Sequence, residues 1–106
     1  TPSDLLPVCE NLGIPLVYDV HHHRVLSDDL VIEECTEMAI RTWNREPMFH
    51  VSSPLNGWGE INESQHHDYI NVIDFPKIWM DKTLTVEVEA KAKELAVRKL
   101  LRDLEG

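Results

Sequence analysis

The sequence lacks the features that mark membrane-spanning, secreted and disulfide-bonded proteins. Although 42% of its 106 residues are apolar, no apolar run approaches the roughly 18 residues that a membrane span requires. No basic and apolar leader opens it, so a secretory route is not indicated. It has two cysteines, Cys9 and Cys35, without a CxxC spacing. We therefore predict free thiols in a reducing environment, either a cytoplasm of the bacterial type or another intracellular compartment.

Basic residues are scarce as well. Lysine and arginine total 10 against 19 aspartates and glutamates, which gives a formal net charge of −9. Phosphate contacts normally come from Lys and Arg, so the charge alone argues against binding to DNA. The negative net charge and DNA binding are compatible if divalent cations neutralise part of an acidic pocket, or if a basic surface lies on polypeptide outside these residues. The chain opens on Thr1 and a helix signal rather than on Met, and we expect it to be a segment of a longer protein.

Hydrophobic periodicity predicts helices and strands in alternation. The first helix is predicted to begin with Thr1 as its N-cap and to stop at Gly13, and Pro7 inside it requires a short or bent helix. The further predicted elements are a strand at residues 14–20, a loop at the histidine triplet 21–23, a helix from residues 27–29 onward, a strand at residues 48–52, an irregular segment at residues 53–65, a short helix at residues 66–70 with Ile73 on its buried side, a strand at residues 84–89 and a helix at residues 90–104. The expected result is an α/β fold of about three parallel strands with flanking helices.

Polar side chains fall on one face of all three predicted strands. Side chains alternate across a strand, and the alternation puts apolar residues on the face that we expect to pack against the helices. The opposite face carries Asp19, His50 and Glu89, each at or near the carboxyl end of its strand. Catalytic residues occupy this position in TIM (β/α)8 barrels. With His22 and His66 in adjoining loops, the carboxylate and imidazole groups suit Mn²⁺, Zn²⁺ or Fe²⁺.

Each of these residues also has an ordinary structural interpretation. A single histidine at a strand end is more often hydrogen-bonded than metal-bound, Asp19 can cap a helix or turn, and Glu89 can complement the amino terminus of a following helix. Spacing alone therefore predicts only a metal-binding α/β domain, with a non-catalytic interaction domain as the alternative. Trp58 can stack on a DNA base or pack within its glycine-flanked loop, and we favour packing.

Three stretches of the sequence resemble motifs of the UV damage endonuclease family. Residues 14–23 resemble its strand motif that ends in Asp-x-His-His. Residues 50–53 and 66–70 resemble its His-x-Ser-Ser and His-x-Asp-Tyr-Ile segments, and residues 86–94 resemble the region of its Glu-Ala-Lys-x-Lys-Glu signature. The stretches follow one another in the family's order over nearly the whole chain. The resemblance implies a single TIM-barrel endonuclease domain, longer than this chain, of which residues 1–106 form the C-terminal portion.

The resemblance also implies an activity, a cofactor and partners. Members of the family cut double-stranded DNA on the 5′ side of cyclobutane dimers and 6-4 photoproducts with a cluster of divalent metal ions, usually Mn²⁺, with Mg²⁺ or Zn²⁺ as alternatives. Carried over position by position, the metal ligands are Asp19, His22, His50, His66 and Glu89. The N-terminal half of the barrel is then a required partner. The chain alone is expected to be inactive, and its open sheet edges can lead to self-association.

Two points limit what the resemblance implies. Some family members have a lysine at the position of Met48, two residues before His50, and its carboxylated form bridges metal ions. A methionine cannot do this, so a full three-metal cluster is not implied here. The residues that recognise damaged bases are not assigned to this chain. The alternative enzyme class is another xylose isomerase-like barrel that acts on abasic sites in DNA or on sugars.

Overall fold

The computed structural model describes residues 1–26, 30–60 and 63–106. Helices and strands alternate along these residues. In chain order they are α1 (Pro2–Leu12), β1 (Tyr18–Asp19), α2 (Val20–Leu26), α3 (Ile32–Arg41), β2 (Met48–Val51), two 3-10 helices (Val72–Asp74 and Lys77–Asp81), β3 (Thr85–Val88) and α4 (Glu94–Glu105). The helix start predicted at residues 27–29 lies outside the described residues. Among the helices of the described part, none is both long enough and apolar enough to cross a membrane.

The three strands form one parallel sheet in the order β1-β2-β3. Tyr18 pairs with Phe49, which pairs with Val86, and these positions form the apolar face. On the other face Asp19 pairs with His50, and His50 pairs with Glu87. The predicted assignment of side chains to the two faces is therefore confirmed, as is the parallel three-stranded α/β fold.

The apolar face of the sheet packs on a cluster of aromatic rings. Phe49 is fully buried and its ring lies 5.7 Å from that of Tyr18 and 5.4 Å from that of Trp79, measured between centroids. The indole Nε1 of Trp79 donates to Thr36 Oγ1 at 2.9 Å, so the one polar atom of this large ring is satisfied inside the core. These contacts hold α3 and the second 3-10 helix against the sheet.

β1 is shorter than the predicted strand at residues 14–20. The backbone N–H of Leu16 donates to Thr42 Oγ1 at 2.7 Å, and its carbonyl accepts from Trp43 Nε1 at 2.7 Å. Because side chains at the end of α3 satisfy this backbone, ladder pairing begins only at Tyr18. The first helix agrees with the prediction: α1 runs through Pro7 and ends at Gly13, whose φ of 66° is a left-handed conformation that glycine adopts without strain.

The histidine triplet is helical, and the predicted loop there is wrong. α2 begins at Val20, directly after β1. Asp19 Oδ1 accepts a hydrogen bond from the backbone N–H of His22 at 2.9 Å, which is the contact of an N-cap residue with the third residue of a helix. The predicted free thiols are confirmed, because Cys9 and the buried Cys35 are both unbridged.

In the second half of the chain, one predicted helix is absent from the described residues and another begins later than predicted. Residues 66–70 are not helical: His66 forms an antiparallel bridge with Pro54, and the first 3-10 helix begins after Asn71. Ile73, predicted to be buried, is 77% exposed. The last helix begins at Glu94 rather than at residue 90, because the backbone N–H of Ala92 donates to the carbonyl of Asp68 at 2.9 Å and holds the preceding residues in a turn.

Candidate metal centre

The carboxyl ends of the three strands bring Asp19, His50 and Glu89 together. One potential ligand atom from each lies within 4.8 Å of the other two, and all three side chains are half-buried. The parallel register explains the convergence, because the first two residues are direct neighbours in the sheet and Glu89 follows β3 on the same face. The backbone N–H of Glu89 donates to the carbonyl of Val51 at 2.9 Å and continues the ladder.

The imidazole of His50 lies between two carboxylates. Its Nδ1 is 2.5 Å from Glu89 Oε1, and since an ionised carboxylate only accepts, Nδ1 carries the proton. Its Nε2 is 3.4 Å from Glu87 Oε2, yet this buried nitrogen has no hydrogen-bond partner among the described residues. Metal-binding histidines commonly have one ring nitrogen fixed by a carboxylate while the other faces the metal. A neutral His50 has the same arrangement, because Glu89 fixes its Nδ1 and its Nε2 retains a lone pair.

Glu87 adds a third carboxylate to this face, and the candidate ligand set derived from the sequence did not include it. Its position opposite His50 in the register follows from the same alternation that selected Glu89. The signal was therefore available in the Thr85-Glu87-Glu89 pattern. On the same face Met48, which pairs with Thr85, stands where some relatives have a lysine. Its thioether is a poor ligand for hard cations such as Mg²⁺ or Mn²⁺.

His22 and His66 are outside this group in the described part of the chain. The side chain of His22 is exposed, and the interaction that connects it to the site is its backbone N–H donated to Asp19. The ring of His66 packs against that of His21, with centroids 5.1 Å apart. Their predicted role as metal ligands stays a prediction.

His21 and His23 are the buried histidines of the triplet, and His21, the one nearest the loop after β2, is not among the predicted site residues. It is only 2% exposed, its Nε2 is 2.6 Å from the carbonyl oxygen of Glu63, and its ring lies 5.3 Å from the ring of Trp58. A helical period across the triplet would have predicted buried histidines, whereas the predicted loop did not. Trp58 is 36% exposed, and it contacts Arg24, His21 and Asp74, which lie outside its loop; the favoured packing within the loop stays a prediction.

The donor set at the strand ends fits a divalent cation. Carboxylate oxygens and an imidazole nitrogen together suit Mn²⁺ or Zn²⁺, and carboxylates alone suit Mg²⁺. Asp19, Glu87 and Glu89 concentrate negative charge beside His50 Nε2, which accepts no hydrogen bond from any described residue. A cation there would both neutralise the carboxylates and take the unused lone pair.

Comparisons with known proteins agree on one family. The sequence model of the family described as UV-endonuclease UvdE matches residues 1–106. A UV DNA damage endonuclease of Halalkalibacterium halodurans is 39% identical over 98% of this chain and 34% of its own length. One of Deinococcus radiodurans is 37% identical over 94% of this chain and 33% of its own length. This chain thus spans about a third of the length of these curated relatives.

A solved structure supports the same assignment. The crystal structure of SacUVDE superposes with a TM-score of 0.81 and 27% identity, covering 98% of this chain and 35% of that one. The match confirms the predicted fold class, a portion of a TIM (β/α)8 barrel. The alternative of a different barrel family is not supported by these matches. The chain belongs to the UvdE family of UV endonucleases.

Proposed function

We propose that the protein to which these residues belong is a DNA-repair endonuclease that incises double-stranded DNA on the 5′ side of UV photoproducts. One observation carries the proposal. In this member of the UvdE family, potential ligand atoms of Asp19, His50 and Glu89 lie within 4.8 Å of one another. Ligand types from three separate strands meet at the end of the sheet where TIM barrels hold their active sites. Relatives from bacteria and fungi are named UV damage endonucleases.

The proposed cofactor is a set of divalent cations, Mn²⁺ first, with Mg²⁺ or Zn²⁺ as alternatives. Asp19, His50 and Glu89 would hold one ion, and His22 and His66 would complete the coordination of that ion or another. His22 lies within one helical turn of Asp19, to which its backbone is already bonded. When bound, the cations supply Lewis-acid stabilisation of charge on the scissile phosphate and make the attacking water more acidic.

The residues of this chain have three tasks in that reaction. Asp19 and Glu89 supply the negative charge that attracts a cation to the strand ends. Glu89 also accepts a hydrogen bond from the Nδ1–H of His50 at 2.5 Å, which fixes the tautomer and would leave Nε2 to coordinate the ion. Because the chain carries a formal charge of −9, neutralisation at this site also weakens its repulsion of the DNA backbone.

The proposed partner of these residues is the rest of the barrel. In the described part of the chain, β1 and β3 each have one unpaired edge, and α1 leaves Leu5, Val8 and Leu12 exposed. A barrel closes both edges and covers such apolar side chains. We propose that the 106 residues alone are inactive, and that self-association through these edges is the alternative when the rest of the barrel is absent.

The decisive experiment compares metal content and incision in three proteins. The longest natural polypeptide that contains these residues is purified without a His tag in Mn²⁺, desalted and subjected to elemental analysis, alongside Glu89→Gln and the control Glu10→Gln, whose side chain is exposed on α1. We expect bound Mn²⁺ and nicking of UV-irradiated plasmid in the wild type and control, and loss of both in Glu89→Gln. Incision of abasic DNA but not of UV-irradiated DNA would contradict the proposed substrate. Metal content unchanged in Glu89→Gln would contradict the proposed site.

A further inference from the structure

A buried polar network lies beneath the loop that follows β2. Asp74 is 5% exposed, and its carboxylate accepts two hydrogen bonds, from Ser53 Oγ at 2.6 Å and from Trp58 Nε1 at 2.9 Å. Its main-chain carbonyl accepts from Arg24 Nη1 at 2.7 Å. Burial lowers the pKa of Arg24, while the charge of Asp74 opposes that shift. A buried carboxylate with this many donors is held in one orientation, since losing any of them leaves desolvated charge.

Trp58 links this network to the histidines. Its indole N–H is donated to Asp74, the Arg24 guanidinium lies 5.9 Å from its ring centroid, and its other neighbour is the ring of His21 at 5.3 Å. His21 in turn contacts the ring of His66 at 5.1 Å. The rings therefore form a continuous series from Trp58 through His21 to His66, which begins at the buried carboxylate of Asp74.

The orientation of His21 depends on this packing. Its Nε2 is bonded to the carbonyl of Glu63 at 2.6 Å, so Nε2 carries the proton and Nδ1 the lone pair. The Nδ1 atom is buried and has no hydrogen-bond partner among the described residues. A single hydrogen bond does not fix the plane of an imidazole, because the ring can still rotate about the axis of that hydrogen bond. The plane of the His21 ring is therefore determined by the rings of Trp58 and His66, which contact it.

Two backbone hydrogen bonds connect the residues on either side of His66 to the segment that contains Ser53. The N–H of Leu55 donates to the carbonyl of Gln65 at 2.8 Å, and the N–H of His67 donates to the carbonyl of Ser53 at 2.7 Å. The hydroxyl of Ser53 is the one bonded to Asp74. Asp74 thus acts on His66 by two routes, through the Ser53 backbone and through the tilted, contacting rings of Trp58 and His21.

We propose that Asp74 and Trp58 are positioning residues, which orient His21 and, through it, the imidazole of His66 for metal binding. The inference rests on the proposed function, because it takes His66 as a ligand. The energetic reason is that a histidine on an irregular segment loses side-chain and backbone freedom when it coordinates an ion. A preformed support removes that loss before the ion arrives, and supports of this kind typically change metal affinity by about 10- to 100-fold.

The test is a double-mutant cycle on Mn²⁺ affinity, measured by chelator competition on the longest natural polypeptide that contains these residues. The cycle consists of wild type, Trp58→Ala, His66→Ala and the double variant. Trp43→Ala is the matched control. Like Trp58, Trp43 donates its Nε1 to an oxygen, here the main-chain carbonyl of Leu16 at 2.7 Å, and lies beneath an arginine at 5.6 Å. Among the described residues its ring has no contact with either histidine. Denaturant unfolding in EDTA is recorded for each variant to separate lost folding from lost positioning.

We expect Trp58→Ala to weaken Mn²⁺ binding by about 10- to 100-fold, and Trp43→Ala to leave it unchanged. In the His66→Ala background, Trp58→Ala should add no more than about twofold, because the two substitutions remove the same interaction. Equal losses in both backgrounds, or no loss in either, overturn the inference. If Trp58→Ala is unfolded in EDTA, the cycle is run with Trp58→Phe, which keeps a ring against His21, and the expected loss is about fivefold, that of one hydrogen bond.

The same series separates this inference from the proposed function. Asp19→Asn removes the charge of a proposed ligand, and because asparagine still caps α2, the helix that carries His21 and Arg24 of the network is kept. If Asp19→Asn abolishes Mn²⁺ binding while Trp58 variants bind normally, the metal site stands and the positioning role is wrong. If Asp19→Asn and His66→Ala both bind Mn²⁺ like the wild type, the proposed site itself is wrong, and the positioning role with it.

Discussion

Replacing Glu89 with glutamine should change stability in opposite ways with and without metal. Glutamine keeps the size of the side chain and a carbonyl acceptor for His50 Nδ1, but it removes one negative charge from the strand ends. Without metal, that removal weakens the hydrogen bond to the imidazole and also relieves repulsion with the neighbouring Asp19 and Glu87 carboxylates. The side chains of His50 and Glu89 are 24% and 30% exposed, so solvent screens both effects and we expect them to cancel within about 1 kcal/mol.

With metal, the balance changes because a ligand is lost. A cation present at ~100 times its dissociation constant stabilises the wild type by about 2.7 kcal/mol. If the loss of one carboxylate weakens binding by ~100-fold, the same concentration stabilises the variant by only about 0.4 kcal/mol. The variant should therefore be less stable than the wild type by about 2 kcal/mol in Mn²⁺.

The assay is urea unfolding followed by tryptophan fluorescence, performed once in EDTA and once in excess Mn²⁺. The control is Glu10→Gln, which removes the same charge from an exposed position on α1 and should respond to Mn²⁺ as the wild type does. A Glu89→Gln variant that is destabilised equally in EDTA and in Mn²⁺ would refute the reasoning. In that case Glu89 would support the fold through His50 and would not be a metal ligand.

Three further predictions concern the core, a helix terminus and the metal-facing side of the sheet. Phe49→Ala should lower the free energy of unfolding by about 3–5 kcal/mol, measured by urea titration, because Phe49 is fully buried against Tyr18 and Trp79; a loss below ~1 kcal/mol would contradict this packing. Gly13→Ala should lower it by about 1 kcal/mol, since its φ of 66° is strained for alanine although no atom lies within 4 Å of the added methyl group; no loss would argue against the left-handed helix end. Met48→Lys should raise the Mn²⁺ content in bicarbonate buffer, because it puts an amine that can be carboxylated on the face of His50, and unchanged elemental analysis would count against that interpretation.

Much of the fold was predictable because it depends on local pattern. Alternation along the strands assigned Asp19, His50 and Glu89 to one face before any pairing was known, and the parallel register then made them neighbours. Gly13 ended α1 as predicted, because a left-handed helix end needs a residue without a Cβ. The family assignment was equally local, since it depended on short motifs in a particular order.

Tertiary structure decided the features that depend on residues distant in the sequence. β1 begins late because Thr42 and Trp43, 26 and 27 residues further along the chain, satisfy the backbone of Leu16. The last helix starts late because the turn before it bonds to residues 67 and 68. Periodicity cannot predict such contacts, since nothing in the local pattern of either partner encodes the other.

The network around Asp74 is the clearest example of that difference. Its partners Trp58, Ser53 and Arg24 are 16, 21 and 50 residues away, and Asp74 itself is an ordinary acidic residue in the sequence. The sequence by itself determined the face on which metal ligands lie and the family to which the chain belongs. The tertiary structure alone decided the burial and the hydrogen-bond partner of His21, because both arise only when the loop after β2 folds over α2.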